Sequence, residues 1–373
     1  MQPERKKSGW LGNLALLIGS TAAALLVIEF AFRVVLGHTI VLFPRNHAAA
    51  HYGSYVLRTM TPNTSFWHQS IDGQWRFKTN NKGFRDDKDY AYEKPDGTLR
   101  VLLLGDSHTA GFEVAQQEVY AKILEDALRK RGIRAEVLNT GVSGFGNAEQ
   151  LAYLENEGLR YRPDVVVVAF FGNDYSDNAR AGLFRLVGGK LQESSRHFAP
   201  AVDIIRLTQA IPGLTWLGEN SYAYSYLFNA VWDWVKAWST ANAQADIAKT
   251  DTPAGAARHE YAVQVGEVSA GEEALAIALL ERIAEVGRRN GIYTVLADIP
   301  NAVGSGPQGT SPSLTEATRK AVLPSFSRVL DPEQYLGGRP AGQLVHVPHG
   351  HRHINAFAHR RLGEALADLI ATK

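Results

Sequence analysis

Asp164–Asp174 reads DVVVVAFFGND, seven apolar residues in a row between an aspartate and a Gly-Asn-Asp turn. A strand with one wet face alternates apolar and polar side chains; this one does not. Continuous apolar character suits a strand covered on both faces, as in a parallel sheet sandwiched between helices. Upstream, RVLLLGDS (Arg100–Ser107) is a second short apolar run ending in glycine. A helical stretch follows it, with Tyr120, Ile123, Leu124, Ala127 and Leu128 on one face. AEVLNTG (Ala135–Gly141) reads as a strand and EQLAYLENEGL (Glu149–Leu159) as a helix. Downstream, EEALAIALLERIAEVGRRNG (Glu272–Gly291) is an amphipathic helix and IYTVLADIP (Ile292–Pro300) a fourth strand. QLVHVP (Gln343–Pro348) is a weaker fifth. The last helix starts near Asn355, an N-cap, with Leu362, Ala365, Leu366, Leu369 and Ile370 on its apolar face. Strand and helix alternate, which predicts an α/β fold with a parallel sheet and right-handed crossovers.

The ends of the chain and one interruption complete the plan. Trp10–Ile28 is uncharged, the apolar run resumes after Glu29, and Arg5, Lys6 and Lys7 precede it. About 20 such residues cross a bilayer, and the basic flank puts the N-terminus in the cytoplasm. Residues 1–36 are therefore expected to be a cytoplasmic tip and transmembrane helix, with the rest of the chain periplasmic or extracellular. The alternative is a cleaved signal peptide. Glu29 and Arg33, four apart, are placed to pair near the outer interface. Residues 37–98 are rich in turn formers and alternate aromatic with polar residues, which predicts a juxtamembrane extension of short strands. Residues 99–373 form the main domain, with an insertion at about 178–270. The insertion holds LTWLGENSYAYSYLFNAVWDWVKAW (Leu214–Trp238), which reads as a lid, as a helical decoration, or as a surface touching the membrane.

Composition excludes several classes of function. In 373 residues the net charge is +1, so no global charge argues for a nucleic-acid partner. Without cysteine there are no disulfides, thiolate metal sites or cysteine nucleophiles. Four histidines crowd PHGHRHINAFAH (Pro348–His359), three of them, His349, His351 and His353, at alternate positions. That spacing on an extended segment suits three zinc ligands, but the segment lacks a matching acidic ligand pattern, so neither metal nor cofactor is expected.

Chemistry in a doubly wound fold gathers at the C-terminal strand ends. Here those ends read GDS, GVSG and GND, and the histidine cluster precedes the last helix. A serine on a strand-to-helix turn exposes its hydroxyl, and a glycine loop and an asparagine amide can add oxyanion donors. A histidine from the C-terminus then supplies the base. In these blocks, LLLGDSHTAGF, NTGVSGFG, FFGND and HINAFAHRRLGEAL, the chain resembles the SGNH (GDSL-type) hydrolases, in a membrane-anchored branch, over about 100–178 and 270–371. The resemblance implies a three-layer α/β/α, flavodoxin-like domain and an ester-hydrolysing serine enzyme without metal or cofactor. It implies Ser107 as nucleophile, Gly144 and Asn173 as oxyanion donors and His353 as base. An acyl ester, such as an acetyl group on a cell-envelope glycan, is the expected substrate. An O-acyltransferase using the same acyl-enzyme, or a non-catalytic glycan-binding or envelope-assembly protein, are the alternatives.

One departure stands out. The family places an aspartate two or three residues before its histidine, where this chain has His351 and Gly350; no carboxylate lies between Glu333 and Glu364. Loss of the acid from such a triad costs about 10⁴ in turnover. Three readings compete: a Ser107–His353 dyad with Nδ1 held by a backbone carbonyl, a carboxylate from elsewhere such as Asp331, or a scaffold that binds without hydrolysing. His351 is also placed to hydrogen-bond His353. His346, His349 and His351 are otherwise expected in a solvated loop. His108 is expected at the surface, Asp106 and Asp174 as turn caps, and His359 as structural.

Overall fold

A computed structural model describes residues 9–42, 46–198, 210–248, 268–303, 309–349 and 351–373. The chain opens with helix α1 (Gly9–Leu36) and two antiparallel hairpins, β1–β2 (His47–Tyr52, Tyr55–Met60) and β3–β4 (Ser65–Ser70, Gly73–Lys78). The α/β core follows: β5 (Leu99–Leu104), the short α2 (Ser107–Ala110), α3 (Tyr120–Lys130), β6 (Ala135–Asn139), α4 (Asn147–Asn156) and β7 (Val165–Phe170). Next come α5 (Asp174–Ala181), hairpin β8–β9 (Phe184–Val187, Lys190–Glu193), α6 (Leu214–Asn220) and α7 (Tyr222–Ala248). The core resumes with α8 (Ala270–Arg289), β10 (Tyr293–Asp298), α9 (Glu316–Val322), β11 (Arg328–Leu330), α10 (Pro332–Leu336) and α11 (Ala356–Ala371).

Five strands form one wholly parallel sheet in the order β11-β10-β7-β5-β6. Renumbered along the sheet this is the flavodoxin order 2-1-3-4-5, whose direction of winding reverses between β5 and β7. The apolar runs explain the layers. Val165 and Val167 of β7 join Val101 and Leu103 in a core closed by α3 and α11. Val166 and Val168 join Leu102 and Leu104 in a second core closed by α4 and α8. Successive side chains thus enter opposite layers, and both are dry. The α3–α11 contact is close: a Cβ on Gly363 would meet the Tyr120 carbonyl oxygen at 2.8 Å.

Two expectations are corrected. The fifth strand is β11, within SRVLD, while Gln343–Pro348 is a loop with one isolated bridge, His346 to Ile354. That segment is apolar because the loop itself is buried: Val345, His346 and Val347 are all inside. Its histidine is therefore not in solvent. Of the insertion, residues 199–209 and 249–267 lie outside the described residues, as do the basic residues of the N-terminal tip and Gly350.

The hairpins lean on the C-terminal edge of the sheet. Phe66, Phe77, Met60 and Val41 form a small core with Ala110 and Phe112 of the segment after β5. Helix α1 is 28 residues, about 42 Å at 1.5 Å per residue, with none of its residues buried, and among the described residues it alone is long and apolar enough to cross a bilayer. Glu29 and Arg33 pair at 3.3 Å.

Candidate active site

Gly105 follows β5, and a Cβ there would lie 2.0 Å from Thr109 Oγ1, a contact that only glycine avoids without a shift of Thr109. The chain then turns at once into α2. Asp106 caps it, its carboxylate accepting the His108 N–H at 2.8 Å, so Ser107 opens the helix at the winding reversal between β5 and β7. Across the turn, a Cβ on Gly141 would lie 2.4 Å from the Ala110 nitrogen. The loop after β6 therefore passes directly against α2.

His353 reaches this serine from the other end of the chain. Its Nε2 is 2.8 Å from Ser107 Oγ. Its Nδ1 faces Glu113 Oε2 at 3.4 Å. Glu113 stands where the aspartate of the resemblance was expected, although it comes from a different part of the chain. It sits in the loop after α2, buried, at a left-handed φ of 65°. The backbone N–H of His351 donates to its Oε1 at 2.9 Å and that of His353 to Oε2 at 3.4 Å. His68, from β3, stands behind it with Nε2 3.5 Å from Oε1. Burial alone would raise the Glu113 carboxyl; the contacts of His353 and His68 outweigh it and hold the group well below the usual carboxylate range. Burial pushes the His68 imidazole down, so it faces Glu113 as a neutral ring.

The extension braces this loop. Arg85, buried, donates to the carbonyls of Ala110 (3.1 Å), Gly111 and Val114 (2.8 Å). Arg58 donates to the carbonyl of Gly144 at 2.8 Å, in the loop after β6. Gly144 itself has φ 75°. Asn173 begins α5 just after β7; its Nδ2 donates to Asp177 Oδ2 at 3.0 Å, and its Oδ1 is buried with no hydrogen-bond partner.

The other candidates separate. Asp331 is engaged by Arg319 through both carboxylate oxygens, at 2.8 and 2.5 Å, and it is Glu113 rather than Asp331 that faces His353. His349 Nδ1 pairs with Asp72 at 2.9 Å. His346 Nε2 contacts the Pro300 carbonyl at 3.0 Å. Of the three alternating histidines, His349 thus turns to Asp72, while His351 and His353 both meet Glu113 through their backbone N–H groups. The described residues do hold a metal-sized cluster, His68, Glu113 and His351, with ligand atoms within 4.8 Å of one another; both oxygens of its carboxylate already accept backbone N–H groups. His108 is fully buried, not at the surface, its ring 4.1 Å from Phe171 and 4.7 Å from His353. Burial, reinforced by His353, drives its imidazole well below the ordinary range. Asp174 accepts the Phe171 N–H at 3.3 Å, a turn cap as expected. His359 is buried, stacks on Tyr120 and accepts that residue's N–H at 3.2 Å, a structural role.

A flavodoxin-ordered sheet with this serine after its first strand, this asparagine after its third and this histidine before its last helix is the arrangement that the resemblance to the SGNH hydrolases implies. Residues 103–266 match the model of the GDSL-like lipase/acylhydrolase family, which supports that resemblance. An arylesterase from Vibrio mimicus is 32% identical over 75 residues, 20% of this chain. The match spans 38% of that relative's length. Among solved structures, a lipase/acylhydrolase from Enterococcus faecalis is 15% identical at a TM-score of 0.38, covering 74% of this chain and 96% of the other. An acetyl xylan esterase is 13% identical at 0.38, covering 73% and 100%.

Proposed function

We propose that the protein is a membrane-anchored, extracytoplasmic serine esterase that cleaves short acyl esters. The observation that carries this reading is the row Ser107 Oγ, His353 Nε2 at 2.8 Å, and Glu113 behind Nδ1. In it, Ser107 attacks the ester carbonyl and His353 takes the hydroxyl proton. Glu113 holds the Nδ1–H tautomer and stabilises the imidazolium that forms. The N–H groups of Ser107 and Gly144 and the Asn173 amide receive the developing oxyanion. With one Asn173 N–H held by Asp177, the second remains for substrate. His353 then returns the proton to the leaving alcohol, and water, activated by the same imidazole, releases the acid.

The apolar length of α1 supports an anchor, with the N-terminus cytoplasmic and the domain after residue 98 outside. An acetylated envelope glycan fits a hydrolase held at that place. The test is full-length protein in detergent treated with a fluorophosphonate probe and assayed on acetyl esters. Wild type is expected to label and turn over, and Ser107→Ala to do neither. Equal behaviour of the two proteins would sink the esterase reading.

A further inference from the structure

Helix α7 carries a face that no described part of the protein covers. Ser225 and Trp232 are buried, so one side of the helix meets the body of the domain. On another side, Leu227, Val231, Trp234 and Trp238 follow at steps of four, three and four, the spacing of one helical stripe. They are 61%, 62%, 69% and 62% exposed. Trp216 of the preceding α6 is 62% exposed as well. Exposed apolar surface of this extent marks a contact.

What covers it is indicated by where α7 begins. The Glu29 carboxylate of α1 accepts the N–H groups of Tyr222 at 3.0 Å and Ala223 at 3.1 Å, and the Ser221 hydroxyl at 2.7 Å. An acid from one helix thus caps the N-terminus of another. Arg33 donates to the Asn220 carbonyl at 3.0 Å, and its guanidinium lies 5.0 Å from the Tyr222 ring. Phe32 meets Tyr226 edge-on at 5.2 Å. These attachments start directly after Ile28, where the uncharged run of α1 ends. If that run spans the bilayer, the Glu29–Arg33 pair stands at its outer boundary, and α7 starts at the same level. The stripe is also rich in tryptophan, the residue that gathers at the headgroup layer because its ring is apolar and its indole N–H polar.

We propose that α6 and α7 lie on the outer surface of the membrane, with Trp216, Trp234 and Trp238 in the headgroup layer. The proposal rests on the anchor reading of α1. It gives the domain two attachments to the bilayer, so the domain cannot swivel about a single helix. The binding mode is that of an interfacial amphipathic helix.

The chain has no cysteine, so single-cysteine variants take one label each. Full-length protein in phosphatidylcholine vesicles would carry an environment-sensitive fluorophore in Trp234→Cys or Trp238→Cys. Leu17→Cys in α1 and Arg185→Cys on β8 are references, and lipids spin-labelled near the headgroup or near the chain end are the quenchers. Labels at 234 and 238 should shift to the blue and lose emission, most with the headgroup-proximal quencher. The Leu17 label should respond most to the deep quencher and the Arg185 label to neither. A quenched Leu17 label with 234 and 238 behaving like 185 overturns the docking proposal and leaves the anchor standing. An unquenched Leu17 label overturns the anchor, and the proposal with it. A blue shift at 234 and 238 without lipid quenching means that protein covers the stripe, and also overturns it.

Discussion

Replacing Glu113 by glutamine tests the reasoning about the acid most directly. The side chain keeps its shape but loses its charge and gains an N–H donor. Oε1 faces the backbone N–H of His351 and Oε2 faces Nδ1 and the backbone N–H of His353. Either orientation of a glutamine amide therefore points a donor at a donor. If its nitrogen faces His353, the ring is driven to the tautomer with hydrogen on Nε2, which cannot accept the serine proton. In the best-studied serine triad the equivalent change costs about 10⁴ in kcat, roughly 5.4 kcal/mol at 1.36 kcal/mol per decade. Here the Nδ1 contact is 3.4 Å, longer than a strong charge-assisted bond, and the carboxylate is shared with His68. The expected loss is smaller, about 10²–10³ in kcat, or roughly 3–4 kcal/mol. KM should stay near wild type, since Glu113 orients His353 and does not touch substrate. The assay is acetyl-ester turnover, with thermal melting to confirm that the variant folds. Asp331→Asn is the control and should leave kcat unchanged. A folded Glu113→Gln enzyme within about threefold of wild type would refute the argument, because the charge and tautomer effects together exceed 1 kcal/mol by any estimate.

His68→Phe keeps a ring but removes the Nε2 that faces Glu113; a lost buried contact of this kind costs about 1–3 kcal/mol. Its kcat should fall roughly tenfold, with His68→Gln recovering part, and equal kcat in all three would remove His68 from the machinery. Asn173→Ala should lower kcat by about 10²–10³ with little change in KM, the size of one oxyanion donor; an unchanged kcat would exclude the amide from that role. Glu149→Gln probes pH dependence. Burial, against the pull of Arg58 and with Asp177 adding to it, raises the Glu149 carboxyl from 4.5 to about 7. A raised acid stabilises the fold fully below its unfolded pKa and loses that contribution as pH rises through the folded one. The melting-temperature advantage of the variant should therefore grow between pH 4.5 and 7, and a difference independent of pH would contradict the assignment.

The sheet was legible because burial on both faces writes unbroken apolar runs, and the pairing of Ser107 with His353 was legible because each follows or precedes a regular element. Glu113 was not, because a triad acid is defined by what it faces. A weak local signal existed: a carboxylate between Phe112 and Val114, six residues after the serine. β11 was missed because it is three residues long with an exposed Arg328, whereas Gln343–Pro348 looks like a strand because a loop needed to be dry. The hairpins were read as strands, but nothing in their pattern shows that Arg58 and His68, or Arg85 just beyond them, project to the sheet edge.

Ser107 and Glu113 occupy one short turn-helix-turn, so their separation is fixed by local chain geometry and by the Arg85 brace. His353 reaches them from about 240 residues further along the chain. Any change in the Ser107–Glu113 loop therefore shifts both partners of the imidazole together, while a change in the segment before the last helix shifts the imidazole alone.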